Sequence, residues 1–179
     1  MRIISGTMRG RKLISLKGDS IRPTTDRVRE SIFNLIMDFV RDAVCLDLFG
    51  GSGALSLEAI SRGAKKSTII DKAKSSVDVI KQNIELTGFG DKTVVRCEDS
   101  MEFLKNDDQK FDIIFLDPPY NRGFVAPVID LIVKKNLLTD EGIIVLESDF
   151  SDEHGEFYGL EMLKQRRYGR TFVTIYKKR

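Results

Sequence analysis

The chain has little cysteine, less histidine and no long apolar run, and each shortage closes off a class of protein. Two cysteines, Cys45 and Cys97, in 179 residues cannot build a disulfide framework. Both fall in apolar, strand-like runs, so buried and reduced thiols are expected. With His154 as the one histidine and no Cys/His cluster, no metal site is expected. No stretch approaches the roughly 18 apolar residues of a membrane span. The opening Met1-Arg2-Ile3-Ile4-Ser5-Gly6 lacks the apolar core and cleavage site of a signal peptide. A cytoplasmic protein with no membrane partner is therefore expected.

What is present reads as one globular unit. The chain is 41% hydrophobic and 31% charged, and long enough to bury a core. No repeat, low-complexity tract or Pro/Gly/Ser-rich linker divides it. Its net charge of +2 hides an asymmetry. Residues 1–30 carry eight Lys/Arg against three acids, and residues 164–179 carry seven against none, so the middle is acidic. Basic ends on an acidic body fit a polyanion partner, because nucleic-acid affinity comes largely from neutralising phosphates. Solvated chain ends rich in lysine and arginine would look the same.

Residues 1–16 predict a small hairpin, extended over 2–5 and 12–16 around Gly6 and Gly10. A helix follows Pro23-Thr24-Thr25, with a threonine cap and Val28, Ile32, Leu35, Ile36, Phe39 and Val40 along one apolar face. From residue 43 apolar runs (43–48, 67–70, 93–97, 111–116 and 143–146) alternate with helical stretches. These helices cover 54–62, 73–87, a short segment after Ser100, and 124–135. The pattern is that of a doubly wound α/β sheet, covered on both faces. Residues 162–165 and 171–177 add a closing antiparallel pair. A basic hairpin extension over 1–25 precedes the main domain, 26–179.

Four motifs fall at strand ends, where open α/β sheets bind ligands. The first, Asp47-Leu48-Phe49-Gly50-Gly51-Ser52-Gly53, runs from a strand into a helix. Its glycines allow close backbone approach, and the helix start offers unpaired N–H groups. The spacing is neither the dinucleotide fingerprint nor a P-loop. Asp71, closing the second strand, can accept from both ribose hydroxyls or cap the next helix. Asp99-Ser100 can meet an adenine amine, cap a helix, or do both. The fourth, Asp117-Pro118-Pro119-Tyr120, is the most specific. Its prolines stiffen the backbone, leaving the Asp117 carboxylate and Pro118 carbonyl as two acceptors for one amino group, with Tyr120 as a stacking face.

In order and spacing these motifs resemble those of Rossmann-fold S-adenosylmethionine-dependent methyltransferases, and Asp-Pro-Pro-Tyr resembles the signature of the subgroup acting on planar nitrogens. More narrowly, Arg9-Gly10-Arg11-Lys12-Leu13, the block from Arg22 to Asn34, and Gly53-Ala54-Leu55-Ser56-Leu57-Glu58-Ala59 resemble the bacterial RsmD family. The likeness extends over essentially the whole chain, to Tyr168-Gly169-Arg170-Thr171. It implies a seven-stranded Rossmann-like sheet and transfer of methyl from S-adenosylmethionine to N2 of a guanine in small-subunit (16S) ribosomal RNA. The implied cofactor residues are Asp47, Phe49, Gly50, Gly51, Ser52, Gly53, Asp71, Lys72, Asp99 and Ser100, and the implied catalytic ones Asp117, Pro118, Pro119 and Tyr120. Arg9, Arg11, Lys12, Arg22, Arg27 and Arg29 are the candidates for gripping RNA, although Arg27 and Arg29 also suit local pairing with Asp26 or Glu30. The expected partner is the small ribosomal subunit, met by a monomer. Two positions depart from the pattern: Gly50 stands where alanine is expected, and Ser56 where glycine is. A DNA amino-methyltransferase, a protein glutamine methyltransferase and a non-catalytic RNA-binding assembly factor stay open as alternatives.

Overall fold

Apolar runs bounded by glycine and polar turns become parallel strands here, and the segments between them become the covering helices. The computed structural model describes residues 1–16, 26–118, 123, 125–149 and 156–179. Helices α1 (Asp26–Leu35) and α2 (Met37–Val40) lead into β1 (Val44–Asp47), α3 (Ala54–Ser61), β2 (Lys66–Asp71), α4 (Lys74–Thr87) and β3 (Thr93–Cys97). Then come α5 (Ser100–Asn106), β4 (Phe111–Leu116), α6 (Val125–Lys134), β5 (Leu138–Asp149), β6 (Leu160–Tyr168) and β7 (Thr171–Lys178). The seven strands lie in the order β3-β2-β1-β4-β5-β7-β6. β1 to β5 run parallel, and β7 inserts antiparallel between β5 and β6. The chain winds outward from β1 to β3, then returns across β1 to β4. That reversal opens a crevice at the carboxyl ends of β1 and β4.

Alternation along each strand sorts the core into two layers. Cys45, Ile113, Phe115, Val145 and Val173 face Ile32, Phe33, Ile36, Leu55 and Ala59 of α1, α3 and the α1–α2 junction. Their neighbours Leu46, Ile70, Ile114, Leu116 and Leu146 face Phe103 and Leu104 of α5 and Val128, Ile129 and Ile132 of α6. The amino-terminal segment joins the same core, with Ile3 and Leu13 buried against Leu57, Ile69 and Ile80.

Four expectations are corrected by the structure. The amino-terminal hairpin is shorter than expected: residues 1–3 pair with 10–13 around the Arg2–Lys12 bridge, with Ile3 N donating to Arg11 O and Leu13 N to Met1 O, while its turn also bonds to α3. The single helix expected through Val40 breaks at Ile36, although Ile32, Ile36 and Val40 all remain buried. β5 is much longer than residues 143–146. Its first part bulges, so that Phe111 pairs with Leu138 but Ile113 with Ile143. Gly142 permits this: a Cβ there would sit 3.0 Å from the Thr139 backbone. Finally, Cys97 is exposed rather than buried, since β3 is the open edge of the sheet.

Candidate functional site

Three of the four motif acids stand at the carboxyl ends of adjacent strands, and the fourth follows across the crevice. β1 ends at Asp47, paired with Ile69 on one side and Phe115 on the other. β2 ends at Asp71, opposite Cys97 of β3. Asp99 follows β3, and Asp117-Pro118 follows β4.

The glycine loop turns from β1 into α3 on its own backbone bonds. Gly50 N donates to Ile70 O at 2.8 Å, and Gly53 N to Gly50 O at 2.6 Å. Gly53 begins α3 in the left-handed region (φ 79°), with no side-chain cap, so the loop must hold glycine there. Gly50 is required for a different reason. A Cβ at Gly50 would meet Ile69 Cγ2 at 2.5 Å, so the departure from alanine is matched by a bulky neighbour.

Asp71 ties this loop to the next strand. Its Oδ2 accepts from Gly51 N at 2.9 Å and its Oδ1 from Ala73 N at 2.8 Å. The carboxylate thus shapes the start of α4 without capping it, since the helix N-cap is Ala73. Each oxygen retains a second lone pair for a ligand. Asp99 is the N-cap of α5, accepting from Met101 N and Glu102 N. Both bonds fall on Oδ1, so Oδ2 keeps its acceptor capacity. Ser100 is buried behind it, Phe49 is half-buried against the α5–α6 core, and Lys72 is exposed.

Asp47 differs from the other acids because it is almost wholly buried. Ser67 donates to Ser56 at 2.9 Å, and Ser56 to Asp47 Oδ2 at 3.1 Å. Among the described residues Oδ1 has no partner. Burial pushes the carboxyl up to about 7, and the Asp71 charge adds to this; hydrogen bonds from Ser56 and the Phe49 backbone pull the other way. A buried, half-satisfied carboxylate beside a backbone-lined loop calls for a donor or a cation. With Asp71 and Asp99 alongside, the edge disfavours a phosphate ligand and favours one that presents hydrogen-bond donors or positive charge. Among the described residues no group of acids, histidines or cysteines is arranged to hold a metal.

Asp117 is half-exposed and Pro118 is buried at the β4 end. Pro119 and Tyr120 lie outside the described residues, as does Arg22. Arg9, Arg11, Lys12 and Arg27 are exposed. Arg29 is not: its side chain is fully buried, pairs with Asp26 at 3.0 Å and Glu58 at 3.8 Å, and donates to Arg2 O. Burial lowers its proton affinity while Asp26 and Glu58 oppose this. Its RNA-gripping role is therefore replaced by an internal one. The turn bearing Arg9 also docks away from the crevice, at the C-terminal end of α3, where Thr7 N donates to Ser61 O at 2.8 Å.

One residue that went unnoticed in the sequence is Asn83. Fully buried on α4, it receives Ile14 N at 2.7 Å and donates to Ile14 O and Ser52 O at 3.0 and 2.9 Å. It stitches the amino-terminal segment to the glycine loop. Its signal was an amide within the apolar face formed by Val77, Ile80 and Ile84. Ser56 and Ser67 likewise carried no signal beyond their small size.

The family described as Conserved hypothetical protein 95 matches residues 1–177. The chain is 41% identical over 149 residues to the Escherichia coli (strain K12) protein named ribosomal RNA small subunit methyltransferase D, covering 83% of this chain and 75% of that one. The Haemophilus influenzae protein of the same name is 38% identical over 152 residues, covering 83% and 79%. Among solved structures, a conserved hypothetical protein from Streptococcus pyogenes superposes with a TM-score of 0.81 at 31% identity, covering 85% of this chain and 96% of that one.

Proposed function

Because this chain belongs to the RsmD family of Rossmann-fold methyltransferases, we propose that it moves a methyl group from S-adenosylmethionine to N2 of a guanine in 16S ribosomal RNA. The observation that carries the reading is the row of carboxylates at one sheet edge, with a buried Asp47 oxygen that has no partner among the described residues beside the glycine loop. S-adenosylmethionine supplies an electrophilic methyl on a sulfonium, and its ammonium, ribose diol and adenine amine match Asp47, Asp71 and Asp99 respectively. Phe49, Gly50, Gly51, Ser52, Gly53, Lys72 and Ser100 complete the loop and the strand ends around it.

Across the crevice, Asp117 and the Pro118 carbonyl accept from the guanine amino group, whose lone pair is otherwise drawn into the ring. Two such acceptors orient the nitrogen and favour a pyramidal, nucleophilic form. Asp117 then stabilises the positive charge that appears on nitrogen, and the proton leaves to water. Positioning of this kind can supply up to about 7–11 kcal/mol. Pro119 stiffens the turn and Tyr120 stacks on a base that has left its own stack. Arg9, Arg11, Lys12, Arg22 and Arg27 hold flanking phosphate, with the small ribosomal subunit as the partner and a monomer as the working form.

The test is transfer of labelled methyl to unmodified small subunits, naked 16S RNA and duplex DNA in parallel, followed by nucleoside analysis. Label in N2-methylguanosine is expected. Label in N6-methyladenine or N4-methylcytosine from DNA would overturn the substrate. Absence of transfer to any of the three would sink the enzymatic reading.

A further inference from the structure

Resting on the RNA reading above, we propose that the turn joining β6 and β7, flanked by Arg166 and Arg170, is a second surface that grips the phosphate backbone of the RNA beside the catalytic strand end.

Register places this turn at the crevice. Leu116, the residue before Asp117, pairs with Leu146 of β5, and Leu146 pairs with Thr174 of β7. β5 then continues to Asp149, which pairs with Thr171, the first residue of β7. Tyr168 closes the turn opposite Thr171. The turn therefore stands two strands from β4, roughly 10 Å sideways, and rises three residues, roughly 10 Å, beyond the level of Leu116. It forms a wall on the target side of Asp117, away from the glycine loop and the β1–β3 acids.

The far end of this hairpin carries its own counter-charges, and exposed guanidinium groups gather at the crevice end. At the far end, Lys177 pairs with Glu141 at 2.5 Å and Lys178 with Asp140 at 2.9 Å. At the crevice end Lys164, Arg166, Arg167 and Arg170 are all exposed. Asp149 stands 3.8 Å from Arg170. Two of the guanidinium groups are already anchored. Arg166 donates to Gln165 O at 2.9 Å; Arg167 donates to Gly169 O at 2.8 Å and stacks over Phe172 at 5.8 Å. Such anchoring lowers the entropic cost of binding, and planar guanidinium suits phosphate. The Arg9 turn docks on the end of α3 remote from the crevice. A strand held by both surfaces would cross the crevice with its target base above Asp117.

The experiment compares Arg166→Gln/Arg170→Gln with the charge-matched Lys177→Gln/Lys178→Gln. Each is titrated with unmodified 16S RNA between 50 and 200 mM KCl, with S-adenosylmethionine affinity measured alongside. The crevice-end variant should bind RNA about tenfold more weakly at intermediate salt, with a log–log salt slope reduced by about 1.5–2. Its cofactor affinity and melting temperature should be unchanged, and Arg166→Lys/Arg170→Lys should restore most of the slope. The far-end variant should match wild type. Equal losses from both pairs would reduce the effect to net charge and overturn the proposal. So would unaltered RNA binding with methylation lost on assembled subunits alone, which would assign the turn to a protein contact. A wild-type protein that neither binds nor methylates RNA would overturn the RNA reading as well, whereas an active wild type with an unaffected crevice-end variant would overturn this inference alone.

Discussion

Asp47 shows how one buried atom can report on a whole site. Its carboxyl titrates near 7 in the folded protein against an ordinary value of 3.8. Between about pH 4 and 7 the folded chain therefore holds a proton that the unfolded chain has lost, so stability falls as pH rises through that window and levels off above it. Asp47→Asn should flatten this component, read as the difference between the two proteins in chemical denaturation across pH 4.5–8. A cationic partner at the unpartnered oxygen needs the ionised form. S-adenosylmethionine affinity should therefore rise with pH by up to about tenfold per unit below 7 and then plateau. A wild-type affinity flat from pH 5.5 to 8 in titration calorimetry would refute the pairing. Cys97 offers a second residue-level reporter. It is exposed, its Sγ lies 3.8 Å from Lys72 O, and it sits opposite Asp71. Cys45 is buried, and burial raises its thiol far above the usual range. One equivalent of a maleimide should react rapidly, at Cys97, and S-adenosylmethionine should slow it; equal labelling of both thiols in the folded state would contradict the placement.

At the scale of elements, α3 organises more than its sequence announced. Its N-terminus carries the glycine loop, and its buried Glu58 holds the amino-terminal segment. Glu58 accepts from Ile4 N at 2.7 Å, Ser5 N at 3.0 Å and Arg62 at 2.6 Å, with Arg29 beside it. Glu58→Ala should destabilise the fold by about 3–5 kcal/mol, because it removes a buried counter-charge from two guanidinium groups and the acceptor of two backbone donors. Limited proteolysis should then cut within residues 1–16 first; a melting temperature within a degree of wild type would deny the segment this anchor. The strands, their order of appearance and the acids at their ends were legible because alternation and glycine placement report burial directly. What stayed hidden depends on partners distant in sequence. Arg29 sits among basic residues that read as RNA-facing, and only its contact with Glu58 draws it inside. Cys97 occupies an apolar run like that of Cys45, but β3 turns out to be an edge. The apolar run read as 143–146 is only part of β5, because the polar residues from Thr139 to Gly142 continue the strand through a register shift.

Across the whole molecule, the sheet divides the labour at the crevice between β1 and β4. The acids assigned to the cofactor lie on β1 to β3, while Asp117 and the basic β6–β7 turn lie on β4 and beyond. Such a division predicts a double dissociation, since the two sets of side chains stand on opposite sides of the crevice. Asp117→Ala should abolish methyl transfer while S-adenosylmethionine affinity stays within a few-fold, because Asp47, Asp71 and Asp99, the acids proposed to hold the cofactor, are untouched. Asp71→Ala removes the acceptor for Gly51 N and Ala73 N. It should weaken cofactor binding by about tenfold or more, by loss of two loop-shaping hydrogen bonds each worth about 1 kcal/mol and of the proposed charged contact to the diol. RNA affinity should be unaffected by the second substitution, because the arginines proposed to face phosphate are untouched. Calorimetry with S-adenosylmethionine and filter binding with 16S RNA, run on both variants, measure the two halves separately. Retained turnover in Asp117→Ala would remove that carboxylate from the chemistry, and parallel losses of cofactor and RNA in both variants would mean that the sheet acts as one coupled site.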